Sequence, residues 1–114
     1  ANEREDLMIA GCWVHMRRRF DEAQKVIPVE HRAKAESYLI MKQIQAIYRE
    51  EGKLKDLSSS ERFAQRKVVV APLVNALFAY LHQKNPKVPG SGKLRDAFTY
   101  ALNQEKYLRV FQTK

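Results

Sequence analysis

Ile9-Ala-Gly-Cys-Trp-Val-His-Met-Arg-Arg-Arg-Phe20 is the stretch whose reading decides the fold of this chain. The apolar run Leu7 to Cys12 that enters it has the length of a strand, and Gly11 disfavours a helix there. From Trp13 onward the apolar residues fall at Trp13, Met16, Phe20, Ala23 and Ile27, steps of three and four that place one stripe on a helix. His15, Arg18 and Glu22 then lie on the opposite side, with Arg17 and Arg19 on the flanks. The stretch therefore predicts a short strand that runs directly into an arginine-rich helix.

Downstream the pattern is helical. The first helix is expected to end at about Val26, because the residue before Pro28 is pushed out of helical geometry. A second runs from about Glu30 to Gly52, with Ala33, Ser37, Ile40, Ile44 and Ile47 as its stripe and Met41 and Tyr48 widening it. Ser58 and Glu61 have capping-box spacing and open a third helix through Phe63, Val70, Leu73, Leu77 and Leu81. Pro72 should kink it or divide it in two. Asn85-Pro-Lys-Val-Pro-Gly-Ser-Gly92 reads as a loop. The last segment groups Leu94, Ala97, Phe98 and Ala101, with Asn103 as a bend or the cap of a new start before a patch of Tyr107, Leu108 and Phe111. The fold class expected is mainly α: an antiparallel bundle of four to five helices with one short N-terminal strand.

One domain is the expectation for 114 residues. Hydrophobic residues at 45% are enough for a packed core. The net charge of +8, from 21 Lys and Arg against 13 Asp and Glu, makes a polyanion a natural partner. A single cysteine excludes an intrachain disulfide and fits a reducing cytosol. No apolar run reaches the ~20 residues of a membrane span, and the N-terminus has no secretory pattern. Residues 1–6 should be loose, and the absence of an initiating Met suggests a piece excised from a longer protein.

The residue content offers little chemistry. Cys12-x-x-His15 is half of a zinc site, but His31 and His82 stand apart and supply no second half. As a thiolate and its base, the same pair lacks an orienting third group and an oxyanion site. The acids Asp21, Glu22, Asp56, Glu61, Asp96 and Glu105 fall on predicted solvent faces. The loop at Pro89 lacks the lysine-serine pair of a P-loop. Basic clusters are left: Arg17-Arg18-Arg19 beside His15, then Arg62, Arg66 and Lys67, then Lys84, Lys87 and Lys93. The second cluster reads as a solvated face, whereas Arg17 to Arg19 read as phosphate contacts, with Arg17–Asp21 and Arg18–Glu22 as competing helical ion pairs. Trp13 has the chemistry to stack on a base but sits on the core stripe.

Two segments carry a family resemblance. Ala10-Gly-Cys-Trp-Val-His-Met-Arg-Arg-Arg-Phe20 resembles the C-W-x-H-x-R-R-x-F signature of insertion-sequence 66 family transposases. Pro89-Gly-Ser91 with Leu94, Ala97, Tyr100, Ala101, Leu102, Asn103, Gln104 and Leu108 resembles the family's P-x-S…A-x-x-Y-A-L-N-Q…L segment. Met16, Arg19 and Glu105 depart from it, and Glu105, where an aromatic is usual, bears on the packing of the last helix. The resemblance implies a bacterial, cytoplasmic, nucleoid-associated DNA transposase with an RNase H-like domain, in which two Asp and one Glu hold divalent metal (Mg). Neither the upstream Asp motif nor the downstream I-D-N-N-x-x-E-R motif occurs here. The chain then corresponds to 1–12, a tail and residual strand of the catalytic sheet, and 13–114, a helical insertion, without catalytic residues or a cofactor of its own. Cys12, Trp13, His15, Phe20, Ser91, Ala97, Tyr100 and Asn103 are its motif positions. His15, Arg17, Arg18 and Arg19 are the implied DNA-binding or active-centre-proximal residues. The implied partners are transposon-end DNA, the rest of the transposase and a second copy in a homo-oligomer, with no membrane. The alternative is a helical dimerisation module that makes no DNA contact.

Overall fold

The computed structural model describes the backbone of residues 3–109 and the side chains of residues 10–109. Every regular element among them is helical: α1 Glu3–Lys25, α2 Glu36–Gly52, α3 Ser59–Gln65, α4 Ala71–Lys84, α5 Lys93–Asn103 and α6 Glu105–Leu108. A six-residue 3-10 segment at Val29–Lys34, a single 3-10 turn at Asn85–Lys87 and a π-helical turn at Arg66–Val70 join them.

The expected strand at Leu7 to Cys12 is not there, and residues 3–6 are not loose: both belong to α1. Gly11 was the argument for a strand, but one helical glycine costs only ~1 kcal/mol. A helix satisfies each N–H within its own segment, whereas a lone strand leaves its edges unpaired. The glycine sits mid-helix with nothing within 4 Å of where a Cβ would stand.

Trp13, Met16, Phe20 and Ala23 are buried as their spacing predicts, and Ile27 is half-buried beyond the helix end. In α2, Ser37, Ile40, Met41, Ile44 and Ile47 face inward. Ala33 does not join them, because the 3-10 segment before α2 changes the helical phase and leaves it exposed. Gly52 ends α2 without the left-handed cap that its type favours. The last carbonyls are taken by tight turns instead, from Lys53 N to Glu50 O (3.2 Å) and Leu54 N to Glu51 O (3.0 Å).

Ser58 caps α3, its hydroxyl accepting from Glu61 N at 3.3 Å and donating to Glu61 Oε1 at 3.0 Å. The strain expected at Pro72 is absorbed one turn earlier. The widened Arg66–Val70 turn lets Pro72 fall in the first turn of α4, where a missing N–H costs nothing. Val74 and Phe78 join Val70, Leu77 and Leu81 in the core, while Leu73 and Phe63 are half-buried. Gly92, at φ +106, turns the chain into α5. Phe111 lies outside the described residues; of its expected patch, Leu108 is buried and Tyr107 exposed.

Pairs along the helices set the topology. On α1 and α5, Cys12 meets Gln104, His15 meets Tyr100, Phe20 meets Phe98 and Glu22 meets Lys93, so numbering rises on one as it falls on the other. Glu36 with Tyr80 and Glu51 with Arg66 give α2 and the α3–α4 run the same antiparallel sense. The core lies between α1, α2, α4 and α5.

Candidate functional site

The two motif segments, some ninety residues apart in sequence, meet along the α1–α5 seam. The Trp13 indole, 5% exposed, donates Nε1–H to the carbonyl oxygen of Leu108 at 3.1 Å. The Cys12 thiol lies 3.9 Å from Gln104 Oε1. Phe20 packs edge-on against Phe98 with ring centroids 5.7 Å apart. Ala97 and Ala101 are fully buried where α5 approaches α1. Ser91 lies exposed in the bend before α5, and Asn103 exposed at its end. Cys12, Trp13, Phe20 and Ala97 are thus structural residues of one seam.

His15, Arg17, Arg18 and Arg19 are exposed on the outer side of α1. Successive helical residues are rotated by ~100°, so three adjacent arginines cannot share one face. Arg17 swings toward α2, its guanidinium carbon 5.3 Å from the centroid of the Tyr48 ring. Arg19 swings toward α5 and sits 4.7 Å over the Tyr100 ring, which His15 meets edge-on at 6.4 Å. Arg18 points between them. The competing Arg17–Asp21 and Arg18–Glu22 pairs do not form. Asp21 takes Lys25 at 3.0 Å and Glu22 takes Lys93 at 3.9 Å. An acid four residues before a cation is the better-oriented helical pair, which favours Lys25 for Asp21.

Five of the other described arginines divide from these by what their donors do, whereas Arg49, exposed on α2, has no hydrogen bond or ion pair to a described residue either. Arg32 donates to the carbonyls of Ile27 and Lys25. Arg62 donates to Leu54, Lys55 and Leu57, tying the α2–α3 connection. Arg66 makes a bidentate pair with Glu51 at 2.8 and 2.9 Å. Arg95 holds the loop before α5 through Asn85, Val88 and Pro89. Arg109 bonds Glu105 and Asn75 and covers Phe78. In Arg17, Arg18 and Arg19 no hydrogen bond or ion pair to a described residue takes up the donors. A cation over an aromatic face is held by the ring quadrupole, which leaves its N–H groups pointing outward.

Burial pushes the Tyr100 hydroxyl up; the neighbouring Cys12 adds to this and Arg19 opposes it. Burial likewise raises Tyr48 against the pull of Arg17. Tyr80 is pushed up to about 12 by burial and by its hydrogen bond to the Glu36 carboxylate. Both arginine-holding rings therefore remain neutral phenols at ordinary pH.

Glu105 corrects the expectation that it faces solvent. Its carboxylate meets His82 Nε2 at 2.6 Å and Arg109 Nε at 2.7 Å, locking α6 to α4. Burial alone would raise its pKa, but the hydrogen bonds from Arg109 and His82 outweigh burial and hold it below its ordinary value. Nothing in the sequence pattern pointed to His82 or Arg109 as its partners. The tyrosines were more visible: Tyr100 is a motif residue, and Tyr48 borders the α2 stripe.

Among the described residues no three of His, Cys, Asp and Glu converge to hold a metal ion. Cys12 is a free thiol facing Gln104. The described residues alone therefore offer no set that fits the divalent metal the resemblance implies for a parent enzyme. No helix among them is long and apolar enough to cross a membrane.

Comparison with known proteins bears on the two segments together. The family model described as "Transposase IS66 family" matches residues 1–114. An uncharacterised protein, y4qI, of Sinorhizobium fredii (strain NBRC 101917 / NGR234) is 28% identical over 109 residues. That match covers 96% of this chain but 19% of the relative, so the chain spans about a fifth of the length of the curated protein it matches. No solved structure matches.

Proposed function

The chain belongs to the IS66 transposase family, and from that premise we propose that it is a helical segment through which a DNA transposase holds transposon-end DNA by its phosphates. Strand cleavage and joining, by an RNase H-like centre with Mg, falls in this reading to carboxylates outside the chain. The observation that carries it is the division of labour among the arginines. Five described arginines spend their donors on the chain's own carbonyls, amides and carboxylates. The motif arginines keep theirs available, Arg19 steadied over Tyr100 at the seam and Arg17 over Tyr48 on the other flank of α1. Cations ordered in advance lose less side-chain entropy on meeting a phosphate. Phosphate contacts of this kind position a duplex without reading its sequence.

Titration of a labelled mixed-sequence duplex at several salt concentrations tests the reading. Binding should be weak, indifferent to sequence and steeply salt-dependent. Replacing Arg17, Arg18 and Arg19 together by Ala should flatten the slope of log K against log salt by up to about 2.7, since each phosphate contact contributes ~0.9. The triple variant should lose about 1–2 kcal/mol of stability, because each of two cation–π contacts is worth ~0.5–1. An unchanged slope removes the arginines from the interface. Self-association without DNA binding would favour the dimerisation module.

A further inference from the structure

Arg17 does not face the same way as Arg19. It lines a groove of about 290 Å³ between α1 and α2, on the far side of α1 from the Tyr100 seam. Two stripes face each other across it: Arg17, Asp21 and Gln24 from α1, and Tyr38, Lys42 and Gln45 from α2. Both follow helical spacing, at i, i+4 and i+7. The Met41 side chain, 8% exposed, supplies an apolar floor.

The charges of this groove are unbalanced. Asp21 is its one acid, and Lys25 already holds that carboxylate at 3.0 Å. Neither Lys42 nor Arg17 makes an ion pair with a described residue, although Asp21 lines the same groove. Lys42 is instead held 5.2 Å from the Tyr38 centroid, as Arg17 is over Tyr48. Arg49, exposed one turn beyond Gln45, continues the cationic line along α2. Two amides line the same groove, Gln45 between Lys42 and Arg49 along α2 and Gln24 on α1, each with two donors and one acceptor. Cations along a furrow with neutral hydrogen-bonding groups beside them suit a polymer of phosphates and sugars better than a discrete anion.

The geometry points to the α1–α2 groove as a second DNA-contacting surface, in which Lys42 and Arg17 meet backbone phosphates and Gln24 and Gln45 hydrogen-bond the same strand. This inference rests on the DNA reading above and extends it to the other flank of α1. Arg18 and Arg19 then engage one stretch of backbone and Arg17 with Lys42 another, with α1 as the ridge between them.

Lys42 separates the two readings because it lies outside the arginine run. In the salt titration with the same duplex, Lys42→Ala should flatten the slope by about 0.9, and Lys42→Arg should restore it. The side-chain amide resonances of Gln24 and Gln45 should shift as duplex is added to the wild-type chain. Helical circular dichroism of Lys42→Ala should match wild type, since the side chain is exposed. A Lys42→Ala slope equal to wild type, with the arginine variant flattened, overturns the groove and leaves the arginine surface standing. Absence of DNA binding by the wild-type chain overturns both. An equal response of the two amides to a polyglutamate peptide at matched charge overturns the assignment to DNA.

Discussion

Replacing Trp13 by Phe should cost the fold about 1–3 kcal/mol, and the loss should appear first in α6. The indole is buried among α1, α5 and α6, and its Nε1–H reaches the Leu108 carbonyl at 3.1 Å across ninety-five residues of sequence. Phe keeps most of the aromatic bulk but brings no donor. A buried carbonyl that loses its partner keeps its desolvation penalty, of about 1–3 kcal/mol, whereas an exchanged hydrogen bond is worth only ~1. Removing the part of the indole that Phe does not fill adds a small cavity cost on top.

For a chain between the 100- and 150-residue classes, that loss should lower Tm by roughly 4–12 °C. Trp13 is the sole tryptophan, so wild-type unfolding can be followed by its emission, and both proteins by helical circular dichroism. Amide exchange then locates the effect. Protection should fall in α6 before the core stripes of α2 and α4, because α6 is a four-residue helix held from outside. A Tm within 1–2 °C of wild type, or equal loss of protection along all helices, would refute the assignment of Trp13 as the clamp on the last helix.

The Glu105 junction predicts a pH dependence. A carboxylate whose folded pKa is depressed adds stability above its ordinary range, and that stability is lost as pH falls through the folded value. Glu105→Gln should therefore cost about 1 kcal/mol near neutrality, a figure kept small because the junction is partly solvated, and the gap to wild type should close below about pH 4. A gap that does not change with pH in denaturant titrations would show that packing, not charge, holds the junction. Gly11→Ala should stabilise α1 by up to ~1 kcal/mol, since a Cβ there meets nothing and alanine is the better helix former. Lower thermal stability or lower helicity in that variant would count against the helix at Leu7 to Cys12.

What the sequence disclosed and what it concealed separate along physical lines. Amphipathic period is a property of each helix alone, so the Trp13–Phe20 and Ile40–Ile47 stripes were visible before any neighbour was known. The Ser58 cap was equally local. The strand at Leu7 to Cys12 was misread because a short apolar run has no period of its own, and one glycine tipped the balance by less than the hydrogen bonds of a continuous helix restore. Proline chemistry at Pro72 was anticipated, but its remedy, a widened turn one step upstream, depends on how the α3–α4 run packs on α2.

The arginine run shows the same boundary at the candidate site. Charge, exposure and adjacency are all written in Arg17-Arg18-Arg19. Which way each points is set by Tyr48 on α2 and Tyr100 on α5, thirty-one and eighty-one residues away. The sequence suggested one cationic patch, whereas the fold divides the run between two flanks of α1. That division adds Lys42, a residue without any motif, to the candidate interface. A cation's role in this chain is decided by what competes for its donors. Arg62 and Arg95 look as basic in sequence as Arg18, yet backbone carbonyls have already taken them. A polyanion should therefore be met by the exposed cations of α1 and α2 whose donors no described residue has taken, and the salt slopes of Lys42→Ala and the arginine variant measure that selection directly.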